Sequence, residues 1–367
     1  MTSHLTCSRI TVRELLFVSC CYLLALLAFC ILNYEPFTFA NFDPGWMVSA
    51  VESLSVDGDI DLRNQLQGNP ELAEDQIALG KNGAWYPVHE PLVSFLALPF
   101  YKLFGINGCL AFNFIASWML CLGVYLLCRE HETPAVSLSA SALTCIGTVV
   151  QRYSYSFSID VLGACFLVYS ILAMMRHHTF CAGVSFGLGV LSRTSTLIAL
   201  PAIVCLLVAP STASKSFRRI GKFILGGLPF AALWCISNWH MFGSPFSTSY
   251  QNWAVVQHGA LVVQSQLGLF DSNLFPRLWT LLIDSEIGLF VSFPMLPLAI
   301  LLGLPELWKR DRTMVVFLAL AMISYLIFFS TYSASNNTGG GNRYLLAIGA
   351  IYAIPLAAAI SRCANWE

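Results

Sequence analysis

The sequence predicts an all-α, polytopic integral membrane protein of about ten transmembrane segments, with both termini cytoplasmic. Three observations carry this expectation. Apolar residues fill 57% of the 367 positions, charged residues only 11%, and mean hydropathy is +0.69. A soluble domain carries about a quarter charged residues, so the charges here are too few to wet a globular surface and lipid must solvate much of it. Nearly uncharged stretches recur at about 20 residues, the length that crosses a roughly 30 Å hydrocarbon core. Basic residues gather on one predicted side.

The apolar stretches lie near 14–33, 106–128, 134–150, 158–175, 179–209, 223–239, 287–305, 313–331 and 344–361. The first is uncharged from Leu15 to Leu32 and followed by no small-residue cleavage site, so it reads as a transmembrane helix rather than a signal peptide. The stretch 179–209 is too long for one span and is interrupted by Ser192-Arg193-Thr194-Ser195. Arg176 precedes it, and Lys215, Arg218, Arg219 and Lys222 follow it. Both ends should therefore be cytoplasmic, which requires two short helices with Arg193 at their outer turn. On this layout twelve of the 19 basic residues are cytoplasmic, and most of the others stand alone.

One outer loop, 34–91, holds ten of the 20 acids against Arg63 and Lys81 alone. Residues 92–105 are apolar but short, and read as an interfacial helix on the outer leaflet. A second outer loop, 240–286, is rich in aromatic and amide residues, and a third, 333–343, holds Gly339-Gly340-Gly341 and the glycosylation sequon Asn336-Asn337-Thr338. The sequon matters only in a eukaryotic host. The whole chain, 1–367, reads as one transmembrane domain. Eleven of the thirteen cysteines lie in apolar segments, as small buried hydrophobes would, and no outer disulfide is expected. The net charge of −1 argues against nucleic acid as a partner.

Chemistry-bearing residues gather at the outer boundary. Asp43 precedes the helical pattern Met47, Val48, Val51 and Leu54; it is placed to act as a general base and equally to cap a helix that has Pro44 in its first turn. The run Asp57-Gly58-Asp59-Ile60-Asp61 lacks the spacing of a calcium loop, so a solvated turn is favoured. Asp160, after Ser158, is either a first-turn acid favoured by the helix dipole or a second acid at a cavity. Arg193, at membrane depth, suits a lipid phosphate or pairs with a nearby acid. Arg343 follows three glycines that permit close approach of a ligand, or simply closes a flexible turn. Lys81, Trp85, Tyr86, His89 and Glu90 form a polar–aromatic group of the kind that binds sugars and that also lines membrane interfaces. His89, His240 and His258 have no metal-ligand spacing, so neither a metal nor another cofactor is expected.

The order of these motifs resembles the GT-C class of polyprenyl-phosphate-sugar-dependent glycosyltransferases, in particular bacterial relatives of protein O-mannosyltransferase and of the lipid A aminoarabinose transferase. The resemblance rests on Asp43 with Glu52 to Leu62, on Gly83 to Pro91 with Leu98-Pro99-Phe100-Tyr101, on Ser192-Arg193-Thr194, on Asn238 to Tyr250, and on Gly340 to Leu345. It implies Asp43 as catalytic base, with Arg193, Arg343 and, more weakly, Lys81 at the leaving lipid phosphate. Tyr86, His89, Glu90 and Asp160 complete the expected substrate contacts. The implied partners are a polyprenyl-phosphate-linked sugar donor, a lipid, glycan or protein acceptor, and membrane lipids. The implied location is a bacterial inner membrane, with the site facing the periplasm. Two features depart from the family. Pro44 stands where many relatives have a second acid, and the chain ends soon after the tenth segment, as a minimal member or one lacking part of the acceptor site would. A transporter of lipid-linked sugars would show repeated halves and mid-membrane polar residues, neither of which is evident. A non-catalytic scaffold is the third reading.

Overall fold

Lipid offers no partner for backbone N–H and C=O groups, so long apolar runs satisfy them internally as helices. The computed structural model describes residues 10–32, 43–69, 76–209, 213–271, 273–333 and 342–364. Helix α1 is Val12–Leu32 and α2 is Asp43–Val56. Strands β1 (Ile77–Leu79) and β2 (Trp85–Pro87) form a hairpin before α3 (Leu92–Phe104) and α4 (Ile106–Arg129). Then come α5 (Pro134–Cys145), α6 (Val149–Ser154), α7 (Ile159–Met175) and α8 (Thr179–Ser192). A 3-10 turn, Thr194–Ala199, leads into α9 (Leu200–Val208) and the long α10 (Ala213–Phe242). A second hairpin, β3 (Ala254–Gln257) with β4 (Ala260–Val263), precedes α11 (Leu274–Ile283). The chain continues through α12 (Leu289–Ser292), α13 (Leu296–Leu298), a π-turn, α14 (Leu304–Arg310) and α15 (Arg312–Thr331). It closes with the 3-10 turn Arg343–Leu345, α16 (Leu346–Ile351) and α17 (Ala353–Ala364).

Among the described residues four helices, α1, α4, α10 and α15, are long and apolar enough to cross a membrane. A fifth span arises if the final pair, bent by 45° between Ile351 and Ala353, counts as one. The other predicted segments are helical but shorter or broken. Pro294, Pro297 and Pro305 divide the stretch 287–305, each removing a backbone donor. The stretch 179–209 breaks at Arg193, where the sequence placed a turn. α1 and α10 expose Leu16, Phe17, Leu24, Leu225, Leu228 and Ile236, an apolar surface that lipid covers in an integral membrane protein.

Small residues let some helices approach closely. A Cβ on Gly183 of α8 would lie 2.0 Å from the Phe223 carbonyl oxygen of α10, and one on Gly226 would lie 2.2 Å from that of Phe180. Close packing of backbones replaces the hydrophobic drive that lipid removes.

The two hairpins, absent from the all-α expectation, pack together as a cap. Leu79 N–H donates to the Asn252 carbonyl at 2.9 Å, and Ser249 Oγ donates to that of Val88 at 2.5 Å. Ala50, Leu62, Leu66, Ile77 and Ala254 make a small core beneath. The turn at Asp57–Asp61 is exposed where the aspartates were expected to be solvated, but it is also tied down. Asp61 accepts from Arg63 Nε at 2.8 Å and from Trp85 N–H at 3.1 Å, and Asp59 accepts from Ser53 Oγ at 3.0 Å. The glycine run 339–341 and the sequon lie outside the described residues. Among the described residues every cysteine is free.

Candidate functional site

The site begins with a buried amide on α4. Asn113 donates to the Tyr153 carbonyl at 2.7 Å and accepts from Ser158 N–H at 3.3 Å, fixing the chain between α6 and α7. Ser158 then caps α7, accepting from Asp160 N–H at 3.2 Å and donating to Asp160 Oδ2 at 3.1 Å. Asp160 is thereby held, buried, in the first turn, and its Oδ1 lies 2.5 Å from Arg193 Nη1. It is both the dipole-favoured acid and the partner of the membrane-depth arginine.

Arg193 sits where extended backbone (φ −157°, ψ 110°) ends α8. Gly163, one turn beyond Asp160, makes room for it, since a Cβ there would lie 3.1 Å from that of Arg193. Arg193 Nε donates to Ser195 Oγ at 2.9 Å. Its guanidinium lies 5.2 Å from the centre of the Tyr344 ring, and that of Arg343 lies 5.5 Å from the same ring. Tyr344 is itself stacked on Phe329 of α15, centroids 4.8 Å apart. Two arginines distant in sequence thus meet across one aromatic ring. Beside them Asn342 is fully buried; its N–H donates to Ser292 Oγ at 2.8 Å, while neither end of its carboxamide finds a hydrogen-bond partner among the described residues.

Glu90 connects this cluster to the hairpin cap. Its Oε1 accepts from Thr194 N–H at 2.8 Å, clamping the break at Arg193. Against the same residues lies a cavity of about 170 Å³. Trp234, Ser237, Asn238 and Met241 line it from α10, their spacing forming one helical stripe. His89, Phe95, Thr248 and Tyr250 line it from neighbouring segments. Burial, and then the Glu90 carboxylate, push the Tyr250 phenol well above its usual pKa, with Arg193 pulling the other way. Tyr250 therefore stays a neutral donor at the junction of cavity and cluster.

The structure gathers His89, Glu90, Asp160, Arg193 and Arg343 into one neighbourhood. Tyr86 is buried behind it, edge-on to Phe242 at 5.9 Å and in contact with the cavity wall through Met241. Lys81 is exposed on the turn of the first hairpin. Asp43 begins α2, as a helix-starting residue should, and Met47, Val48, Val51 and Leu54 are buried as its pattern predicted; the Asp43 side chain lies outside the described residues. The described residues contain no group of three or more His, Cys, Asp or Glu side chains fit to hold a metal. Asn238, Tyr250, Asn342 and Tyr344 lie within motifs that carry the resemblance, but sequence reasoning gave none of them a role in the site. The available signal was a lone amide in the last turns of an apolar helix and an aromatic residue next to a membrane-depth arginine.

Residues 88–242 match the family model described as dolichyl-phosphate-mannose-protein mannosyltransferase. The whole chain superposes on solved structures at low identity. ArnT from Cupriavidus metallidurans, bound to undecaprenyl phosphate, matches with a TM-score of 0.58 and 12% identity over 95% of this chain and 60% of that one. The apo oligosaccharyltransferase from Archaeoglobus fulgidus matches with a TM-score of 0.58 and 15% identity over 97% of this chain and 51% of that one. The fold is that of the GT-C glycosyltransferases. No curated protein is similar in sequence. The chain spans about 60% of the length of ArnT and about half that of the oligosaccharyltransferase. The matched family segment contains His89, Glu90, Asp160 and Arg193, while Asp43 and Arg343 reach the GT-C comparison only through the fold.

Proposed function

We propose that the chain is a glycosyltransferase that moves a sugar from a polyprenyl-phosphate donor to a lipid, glycan or protein acceptor at the outer membrane face, inverting the anomeric centre. The observation that carries this reading is the meeting of Arg193 and Arg343 across Tyr344 beside the buried Asp160. The ion pair leaves the arginine fork partly open. Nη1 faces Asp160 and Nε faces Ser195, while a guanidinium has five N–H donors. We assign Nη2, together with the charge of Arg343, to the oxygens of a leaving phosphate. The family match and the neighbour bound to undecaprenyl phosphate support the same chemistry.

In the proposed step Asp43 takes the proton from an acceptor hydroxyl or amine as that atom bonds to the anomeric carbon. The bond from that carbon to the phosphate oxygen breaks, and the electron pair leaves on the phosphate. The departing group needs charge stabilisation rather than an acid, which is the part assigned to the two arginines. Lys81 keeps a weaker part as a cation at the outer surface. The orientation proposed is cytoplasmic termini with the site on the opposite face.

Sugar transfer from radiolabelled polyprenyl-phosphate sugars in proteoliposomes tests the reading. Asp43→Asn should lower transfer by about 10²–10⁴-fold, the usual worth of a positioned base, with folding intact. Unchanged transfer excludes Asp43 as the base, and loss of lipid translocation alone points to a transporter. Labelling of a cysteine at position 43 only from the cytoplasmic side would overturn the orientation.

A further inference from the structure

We propose that the cavity between Glu90 and Asn238 seats a sugar ring, the glycosyl group carried by the lipid-phosphate donor. The assignment rests on the functional reading above and adds a site for the sugar to one for the phosphate. Two side chains from separate elements carry it. Glu90 precedes α3 and Asn238 lies in the last turns of α10; they are 9% and 5% exposed, and both line the cavity. Each keeps a buried polar atom without a hydrogen-bond partner among the described residues, Oε2 of Glu90 and Nδ2 of Asn238.

An unmade hydrogen bond at a buried group forfeits the solvation the group had in water, so two such groups around one space select what fills it. A carboxylate oxygen only accepts and an amide nitrogen only donates. A cation would satisfy Glu90 and not Asn238, an anion the reverse, and a lipid chain neither. Hydroxyl groups do both. The volume, about 170 Å³, suits one ring, since a cavity of about 150 Å³ takes a six-membered ring. Trp234 and Tyr250 offer apolar faces to its carbons, and Ser237 and Thr248 add further hydroxyl partners.

The position also fits a sugar joined directly to phosphate. Thr194 lines the cavity, while the preceding residue, Arg193, turns toward Asp160 and Tyr344. Ring site and phosphate site therefore share two adjacent residues of backbone. Glu90 holds that backbone through Oε1 and faces the ligand with Oε2.

The test uses the full chain in lipid nanodiscs and compares decaprenyl phosphate with the same lipid carrying mannose, glucose, galactose or arabinose, by competition against tritiated decaprenyl phosphate. One glycosylated lipid should bind at least tenfold more tightly than the bare one. Asn238→Leu should remove that advantage and leave bare-lipid affinity within twofold, whereas Asn238→Ser, which keeps a donor, should restore part of it. Arg193→Lys should weaken every lipid alike. If no sugar improves on a well-bound bare lipid, the ring site is wrong and the phosphate reading survives. If Asn238→Leu spares the sugar advantage but raises KM for the acceptor, the cavity belongs to the acceptor and the donor assignment is overturned. If no lipid binds the unaltered chain, the functional reading itself fails.

Discussion

Two buried arginines, Arg129 and Arg193, meet carboxylates in different company. Arg129, at the end of α4, is 1% exposed; it donates through Nε to Glu14 at 2.7 Å and through Nη1 to the Glu132 carbonyl at 2.7 Å. Tyr125 also donates to Glu14, and Arg310 closes on the Glu132 carboxylate at 2.6 Å and on Glu306 at 3.2 Å. Each charge in that network is answered by another group of the same protein. Around Arg193 the pairing is with Asp160 and Ser195, and among the described residues Glu90, Asn238 and Asn342 keep buried polar atoms without partners. A closed network at a helix end fixes how helices meet. An open one leaves unmade hydrogen bonds, which the proposed ligand would complete.

Breaking the closed network should therefore give the largest change in stability. Removing one partner of a buried pair costs about 3–5 kcal/mol, because the other charge is left stranded. Arg129→Met should lower the thermal midpoint of the purified protein accordingly, and Glu14→Gln in the same chain should recover part of the loss. A midpoint within error of the parent would show that the network is not structural. The open cluster should respond in activity instead. Arg193→Lys keeps the charge and the contact with Asp160 but loses the planar fork; a loss of transfer of about 10²-fold, comparable with removing one oxyanion donor, is expected with a nearly unchanged midpoint. A collapse of stability without an effect per folded molecule would reverse the contrast.

The same contrast explains what was legible in the sequence. Membrane helices were, because apolar length is a one-dimensional property. The break at Arg193 was also visible, because a charge inside an apolar run can be read without knowing its partner. The hairpins were not, since three-residue strands such as Ile77–Leu79 depend on pairing with Trp85–Pro87 and on docking against Asn252 and Trp253. Asn238 and Tyr344 were noticed only as parts of motifs, because their roles come from what they face. A buried atom without a partner is a property of three dimensions. Among the described residues four or five of the ten expected segments are single helices of full length; prolines and polar breaks shorten the others, which hydropathy alone treats as continuous.

A smaller effect separates the two regions by pH. His131, between α4 and α5, sits among Asp311, Glu130, Glu132 and Arg310; burial depresses its pKa below the usual histidine value against the pull of the three carboxylates. The unfolded chain, titrating near pH 6.5, takes up the proton first as pH falls. The stability contributed is present above about pH 6.5 and is lost as pH falls through the lower folded value. His131→Gln should flatten the acid side of a plot of thermal midpoint against pH while leaving lipid binding at the Arg193 cluster unchanged. An acid slope identical in both proteins would move the sensitivity elsewhere.

The smallest effect belongs to the exposed margin of the closed region. Arg176 and Glu130 lie 2.7 Å apart with 37% and 24% of their side chains exposed. Water screens such a pair, and holding two long side chains together costs entropy, so its worth is about 0.2–1 kcal/mol. Arg176→Ala should therefore shift the midpoint far less than Arg129→Met, although the two pairs have the same separation, 2.7 Å from Nε to a carboxylate oxygen. Salt sharpens the distinction. At 1 M salt, where the screening length falls to about 3 Å, the Arg176→Ala difference should vanish and the Arg129→Met difference should persist, because ions reach the first pair and not the second. Equal salt sensitivity in both variants would mean that burial does not separate the two pairs, and the distinction between closed core and solvated margin would have to be redrawn.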